Sequence, residues 1–318
     1  MDERVAAIAR RELGEGTVVS GQIEAGLIHE TYEVSVDGTD YVLQLAGDGQ
    51  TDVLRRGLRC YGLVAGTALP VPDLVTGSVR EYEGRAYTVV EKLPGTTAER
   101  DVSPERVRNA GRCLAEIHDA VRFDHPGWLR FDDGVTAAGS GDDVTIEEFD
   151  EGSLNEWRHR KVQDNAGYLQ AGGLERAGRA VERLFESRAF ESSDRGAVVL
   201  CHNDFSPDNL LFRDDELTGV LDFDHSYAGY RSRDVVKAAN GNWMHDPTAD
   251  WDVRETFYDG YRDIAALPDA FHAAEPLSRV ETLAVSVGGM ARMGELSGFE
   301  QEFYEERLLA AIERVPGA

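Results

Sequence analysis

Leu200-Cys201-His202-Asn203-Asp204-Phe205-Ser206-Pro207-Asp208-Asn209, with Asp222-Phe223-Asp224 beginning thirteen positions after the asparagine, is the stretch that decides the fold. Its form is H-x-D-x-x-x-x-N, then an apolar run, then D-F-x. Phosphoryl transfer to a hydroxyl needs a carboxylate that orients the hydroxyl and accepts its proton. It also needs an amide oxygen and a second carboxylate that hold magnesium against the phosphates. Asp204, Asn209 and Asp222 supply those groups in that order. Apolar runs at 197–201, 210–212 and 218–221 read as buried strands, which puts the acids at strand ends and in loops. The competing reading is a hairpin whose Asp and Asn residues form turns, and it suits Asp208, Asp214 and Asp215. It fits Asp204 and Asp222 poorly, because apolar residues flank them and a buried carboxylate needs a partner or a metal.

Outward from this stretch, His202-Asn203-Asp204, Pro207-Asp208-Asn209, Leu221-Asp222-Phe223 and Ala228-Gly229-Tyr230-Arg231-Ser232-Arg233-Asp234 resemble the motifs of the aminoglycoside phosphotransferase/choline kinase superfamily. The last of these is one residue shorter between Arg and Asp than the family's pattern. Leu114-Ala115-Glu116-Ile117-His118, Pro70-Val71-Pro72 and Tyr87 to Gly95 are similar to further family segments, so the resemblance spans roughly residues 20–300. It implies an α+β, bilobal protein-kinase-like fold, with a small strand-rich N-terminal nucleotide-binding lobe (1–93) and a larger, mainly helical C-terminal lobe for catalysis and acceptor binding (94–318). It further implies ATP and Mg2+ as cofactors, Asp204 as catalytic base, and Asn209 and Asp222 as metal ligands. His202 would brace the catalytic loop, and Asp234 would anchor it structurally.

The chain has 318 residues, long enough for two cores. It lacks a long apolar run and a signal-peptide pattern at its start, and its three cysteines are scattered, so a cytoplasmic setting without a disulfide frame is expected. Acids number 59 against 33 bases, for a formal net charge of −26, and only Lys92, Lys161 and Lys237 are lysines. Because the acids run along the whole chain, they suggest a halophilic source, where a negative surface keeps a protein soluble. No basic stripe suggests nucleic-acid binding.

Residues 2–13 have the pattern of an amphipathic helix; strands are predicted at 17–22, 31–36, 41–45, 74–77 and 87–91, and a helix at 53–64. Asp37-Gly38 is a hairpin signal. Ser103-Pro104 reads as a helix start. Residues 132–143 form a polar, glycine-rich loop, and helices are predicted at 146–169, 174–190, 232–243, 251–264, 277–294 and 299–314.

On the nucleotide side, the resemblance puts the phosphate-covering loop at Gly26, with Thr31-Tyr32 after it, and an adenine-reading hinge at Glu91 and Leu93. Its sharpest departure is Gln44, where the family carries Lys or Arg. The following helix also lacks the family's glutamate and offers Arg55, Arg56 and Arg59 instead. For the acceptor, Asp224, Trp243 and Asp246 are the foremost candidates, since an aromatic ring beside an acid suits an ammonium group. The expected activity is an ATP/Mg-dependent phosphotransferase for a hydroxylated small molecule, with an amino-sugar or aminoglycoside-like acceptor favoured. Choline, ethanolamine or homoserine kinase-like activity, or a nucleotide-binding pseudokinase sensor, are the alternatives.

Overall fold

The computed structural model describes residues 3–23, 28–98, 102–131, 144–150, 152–187, 190 and 197–317. Gly26 and the 132–143 loop lie outside these residues. Alternation of apolar and polar residues builds an N-terminal antiparallel sheet from β1 (Val18–Ile23), β2 (His29–Val36), β3 (Thr39–Ala46), β4 (Arg80–Tyr82) and β5 (Arg85–Glu91), in the order β1-β2-β3-β5-β4. Tyr32, Val34, Leu43, Leu45, Tyr87 and Val89 project from one face onto Val5, Ile8 and Ala9 of α1 (Glu3–Leu13). Asp37 and Gly38 both have positive φ, the two-residue turn that suits a right-twisted hairpin.

Helix α2 (Thr51–Val64) does not simply cover this sheet. Its Cys60, Tyr61 and Val64 enter the large core formed by α3 (Pro104–Ala120), the catalytic strands, α6 (Arg231–His245) and α7 (Val253–Ile264). Helix α3 starts as the sequence predicts: Ser103 Oγ accepts from Arg106 N at 3.2 Å, with proline at the first helical position. After the short strands β6 (Thr96–Thr97), β7 (Arg122–Phe123), β8 (Gly127–Phe131) and β9 (Val144–Glu147), the motif strands β10 (Val198–Cys201), β11 (Leu210–Arg213) and β12 (Glu216–Val220) fall where expected. A second helical core joins α4 (Leu154–Ala171), α5 (Glu175–Ser187), α8 (Phe271–Met293) and α9 (Gly298–Glu313).

Three expectations change. Val144–Glu147 is a strand, paired with Gly127–Phe131, where a helix start is predicted. Helix α4 begins only after Ser153, whose capping box with Glu156 fixes the start. Residues 74–77 contribute one bridge, Leu74 to Val90, and no strand. Tyr227–Tyr230, unassigned by the sequence, is a strand called β13 here, held between β10 and the Gly127–Phe131 strand.

Candidate active site

Strand β10 delivers the catalytic loop. The chain turns at Asn203, whose φ of 64° lies in the left-handed region that asparagine tolerates better than most residues. All four polar groups of Asn203 are engaged. Its N–H donates to Asp234 Oδ1 at 2.8 Å, its Nδ2 donates to the His225 carbonyl at 3.2 Å, and its Oδ1 accepts from Arg233 Nη1 at 2.9 Å. Its carbonyl accepts from Lys237 Nζ. Asp234 also accepts the His202 N–H at 2.8 Å and faces His118 Nε2 at 3.2 Å. His118, Asp234 and Cys201 crowd together, but both His118 nitrogens and both Asp234 oxygens are used internally, so this buried cluster serves as a structural knot.

His202 is fully buried, and burial lowers its pKa towards a neutral ring. Its Nε2 donates to the Leu221 carbonyl at 2.9 Å and its Nδ1 accepts the Asp204 N–H at 3.3 Å. The ring therefore links the Asp204 turn to the segment that carries Asp222, and neither nitrogen is free for proton transfer.

Asn209 ends a single 3-10 turn, Pro207–Asn209. Its Nδ2 donates to the Asp204 carbonyl at 2.8 Å and to Asp204 Oδ2 at 3.2 Å, which leaves Oδ1 without a partner among the described residues. Asp222 has a φ of 60°, and its N–H donates to the Tyr61 hydroxyl of α2 at 3.0 Å. Its Oδ1 accepts the Asp224 N–H at 3.3 Å. Burial, and then the neighbouring Asp224 and Asp204 carboxylates, push the Asp222 pKa up to about 7. Crowded carboxylates plus one free amide oxygen make a hard-oxygen donor set of the kind magnesium selects.

On the nucleotide side, Gln44 pairs with Thr31 across β2 and with Thr88 across β5. These three side chains share one sheet face, opposite Leu43 and Leu45, and they are neutral. The Gln44 amide has no hydrogen-bond partner among the described residues. Of the three α2 arginines, Arg56 donates to the Asp224 carbonyl at 3.0 Å and to the Leu129 carbonyl at 3.4 Å, with its guanidinium over Trp128. Arg59 lies over Phe131, and Arg55 pairs with Asp52. Lys92 forms an ion pair with Glu33 at 2.8 Å. The Glu91 N–H is taken by Asp73 O at 2.9 Å, whereas the Leu93 backbone groups have no partner among the described residues.

On the acceptor side, the Trp243 ring carries the Arg254 guanidinium 3.9 Å from its centroid, so a cation already occupies one face. Asp246 ends α6 and accepts from Thr248 at 3.4 Å; among the described residues no contact ties it to Asp204 or Asp222. Asp224 is 8 % exposed, and its Oδ2 lies 2.9 Å from His29 Nε2. The sequence reading gave no role to Lys237, which reaches Asn203 beside Asp204. Burial lowers the Lys237 pKa, and the Asp204 carboxylate is the strongest influence holding it charged. Its signal was available: it is one of three lysines, four residues after Arg233 on the same helix.

Behind the loop, fully buried Glu281 of α8 takes Arg233 Nε on one oxygen at 2.7 Å and Arg158 Nη2 of α4 on the other at 2.6 Å.

Comparison with known proteins agrees with this architecture. The model of the phosphotransferase enzyme family matches residues 21–276. A homoserine kinase from Methylobacillus glycogenes is 26% identical over 280 residues, covering 86% of this chain and 76% of its own length. A second, from Methylobacillus flagellatus, is 26% identical over 312 residues, with 94% and 88% covered. Among solved structures, aminoglycoside phosphotransferase APH(4)-Ia superposes with a TM-score of 0.61 at 16% identity, over 99% of both chains. A thermostable mutant of that protein in ternary complex with ADP and hygromycin B gives 0.59 at 18% identity, again over 99% of both chains. At these identities the structural likeness establishes the protein-kinase-like fold.

Proposed function

The chain belongs to the phosphotransferase enzyme family, and from that premise we propose that it moves the γ-phosphoryl group of ATP onto a hydroxyl of a small acceptor. The observation that carries this reading is the Asn209 amide. It bonds to Asp204 through nitrogen, its side-chain oxygen has no partner among the described residues, and its backbone carbonyl takes the N–H of Leu221, the residue before Asp222, at 2.9 Å; this supports reading Asp204 as a base next to a metal-binding pair. Asp204 would orient the acceptor hydroxyl and accept its proton. Asp222 and the Asn209 oxygen would hold magnesium, which when bound neutralises charge on the phosphates. His202 and Asp234 would fix the loop and take no part in proton transfer. The free backbone groups of Leu93 suit adenine, and Gly26 would lie in the loop over the phosphates. Glu91 would contribute through its carbonyl, since its N–H is taken. The division into lobes near residue 93 belongs to the same reading.

Among acceptors, we place homoserine ahead of the amino-sugar class. The curated relatives described above are named homoserine kinases. Lys237 beside Asp204 also repels a polycation and suits an acceptor that carries a carboxylate. Trp243 and Asp246 remain candidate acceptor contacts. We further infer a high-salt setting from the charge of −26, and a cytoplasmic one from the three scattered, free cysteines. No described helix is long and apolar enough to cross a membrane.

The test is ADP release from Mg-ATP in molar KCl with homoserine, amino sugars, aminoglycosides, choline and ethanolamine, beside Asp204→Ala. Turnover with one acceptor that falls about 10³-fold in the variant, while nucleotide binding persists, is the expected outcome. Equal turnover by Asp204→Ala would remove Asp204 as the base. Nucleotide binding without turnover on any acceptor would favour the sensor alternative.

A further inference from the structure

The carboxylate of Asp224 points into the junction between the N-terminal sheet and α2. Its Oδ2 lies 2.9 Å from His29 Nε2, at the start of β2. The approach is off the axis of a good hydrogen bond, so the contact is a close polar approach between two buried groups. The other ring nitrogen, Nδ1, accepts the Gly47 N–H at 3.4 Å; in the neutral ring this leaves the proton on Nε2, facing Asp224. The Asp224 carbonyl takes Arg56 Nη1 at 3.0 Å, and its N–H returns to Asp222 Oδ1 at 3.3 Å. Tyr61, one turn beyond Gly57 on α2, accepts the Asp222 N–H at 3.0 Å and meets Phe223 edge-on at 5.4 Å. Gly57 has no side chain because none fits: a Cβ there would land on the Asp224 carboxylate.

Two elements distant in sequence, β2 and α2, thus converge on the two-residue step from Asp222 to Asp224. The third strand carries neutral Gln44 and α2 carries no glutamate at this junction, so a strand cation paired with a helix acid is not what joins nucleotide side to metal side here. We propose that Asp224 is a positioning residue: with His29 and Arg56 it latches the Asp222 loop to β2 and α2 and so fixes the presentation of Asp222. This rests on the reading that Asp222 holds the metal, and it removes Asp224 from the acceptor contacts. A buried carboxylate that loses its polar neighbour is left unpaired, so each partner depends on the other.

Two measurements test the latch. In steady-state kinetics, Asp224→Asn and His29→Gln should each raise the KM for Mg-ATP about tenfold with a fall in kcat, while the acceptor KM stays within about twofold. MgADP binding by calorimetry should weaken in both variants, with metal-free ADP binding unchanged. Gly57→Ala keeps every polar group and displaces the carboxylate, so it should show the same split. An acceptor KM that rises while the Mg-ATP KM holds would overturn the proposal and return Asp224 to the acceptor site. The second measurement needs no activity: a double-variant cycle on His29 and Asp224 in thermal unfolding of metal-free protein. A double variant no less stable than the weaker single variant supports the latch, and strictly additive losses overturn it. Should Asp204→Ala retain full activity, the assignment of Asp204 as base fails, and should no acceptor be turned over, the kinase reading fails; in either case this cycle still decides the latch.

Discussion

At the scale of single residues, Asp222 titrates in an unusual range. Its pKa moves from 3.8 to about 7 in the folded protein, through burial first and the Asp224 and Asp204 charges second. A carboxyl whose folded pKa is raised binds its proton more tightly when folded than when unfolded. Its contribution is therefore favourable below about pH 4 and is lost as pH rises towards 7, by roughly 4 kcal/mol at most. Metal-free protein should lose thermal stability across that window in 1 M KCl, and Asp222→Asn should flatten the loss. Magnesium takes the ionised form, so its affinity should climb with pH up to about 7 and then level, with proton release on binding. Gln44 is a second residue-scale test. Its amide is unpartnered and faces the same side as Thr31 and Thr88, so Gln44→Lys should leave ATP affinity equal or tighter by calorimetry. Abolished binding would show that the neutral amide is required.

At the scale of elements, Glu281 ties α8 to α4 through Arg158 and to α6 through Arg233, and Arg233 holds Asn203. Glu281→Gln would leave two buried guanidinium groups short of charge, a loss of about 3–5 kcal/mol. Circular dichroism melts should reveal a large fall in Tm, and an unchanged Tm would mean that water replaces the pair. Such ties explain what the sequence could and could not tell. Asp204, Asn209 and Asp222 were legible because five- and thirteen-residue spacings on short strands are local. So were α1, the Asp37-Gly38 hairpin and the Ser103 cap. Strand β13 was not, because Tyr227–Tyr230 is extended only by the neighbours that flank it. Residues 146–147 read as the start of a helix, and pairing with Gly127–Phe131 makes 144–147 a strand instead. The Arg56 to Asp224 contact joins residues 168 apart, and no pattern in a linear sequence announces it.

At the scale of the whole molecule, a net charge of −26 acts on every part of the surface at once. Many of the described acids are paired, as in the Arg108–Asp263–Arg112 group, but the excess remains. Lowering KCl from about 1 M to about 0.01 M lengthens the screening distance from about 3 to about 30 Å. The thermal midpoint should fall steeply over that range, and a flat profile would count against the high-salt inference. A different constraint follows from Asn203, which is saturated at four polar groups by α6 and the His225 turn. Glycine would suit its left-handed backbone, yet glycine would take one partner from Arg233, which keeps Glu281 and Tyr227, and strip the turn of its side-chain tie to the His225 carbonyl. The Asn203 side chain thus couples the catalytic turn to α6 and to the His225 turn at once, so a change at this one position is felt on both sides of the loop.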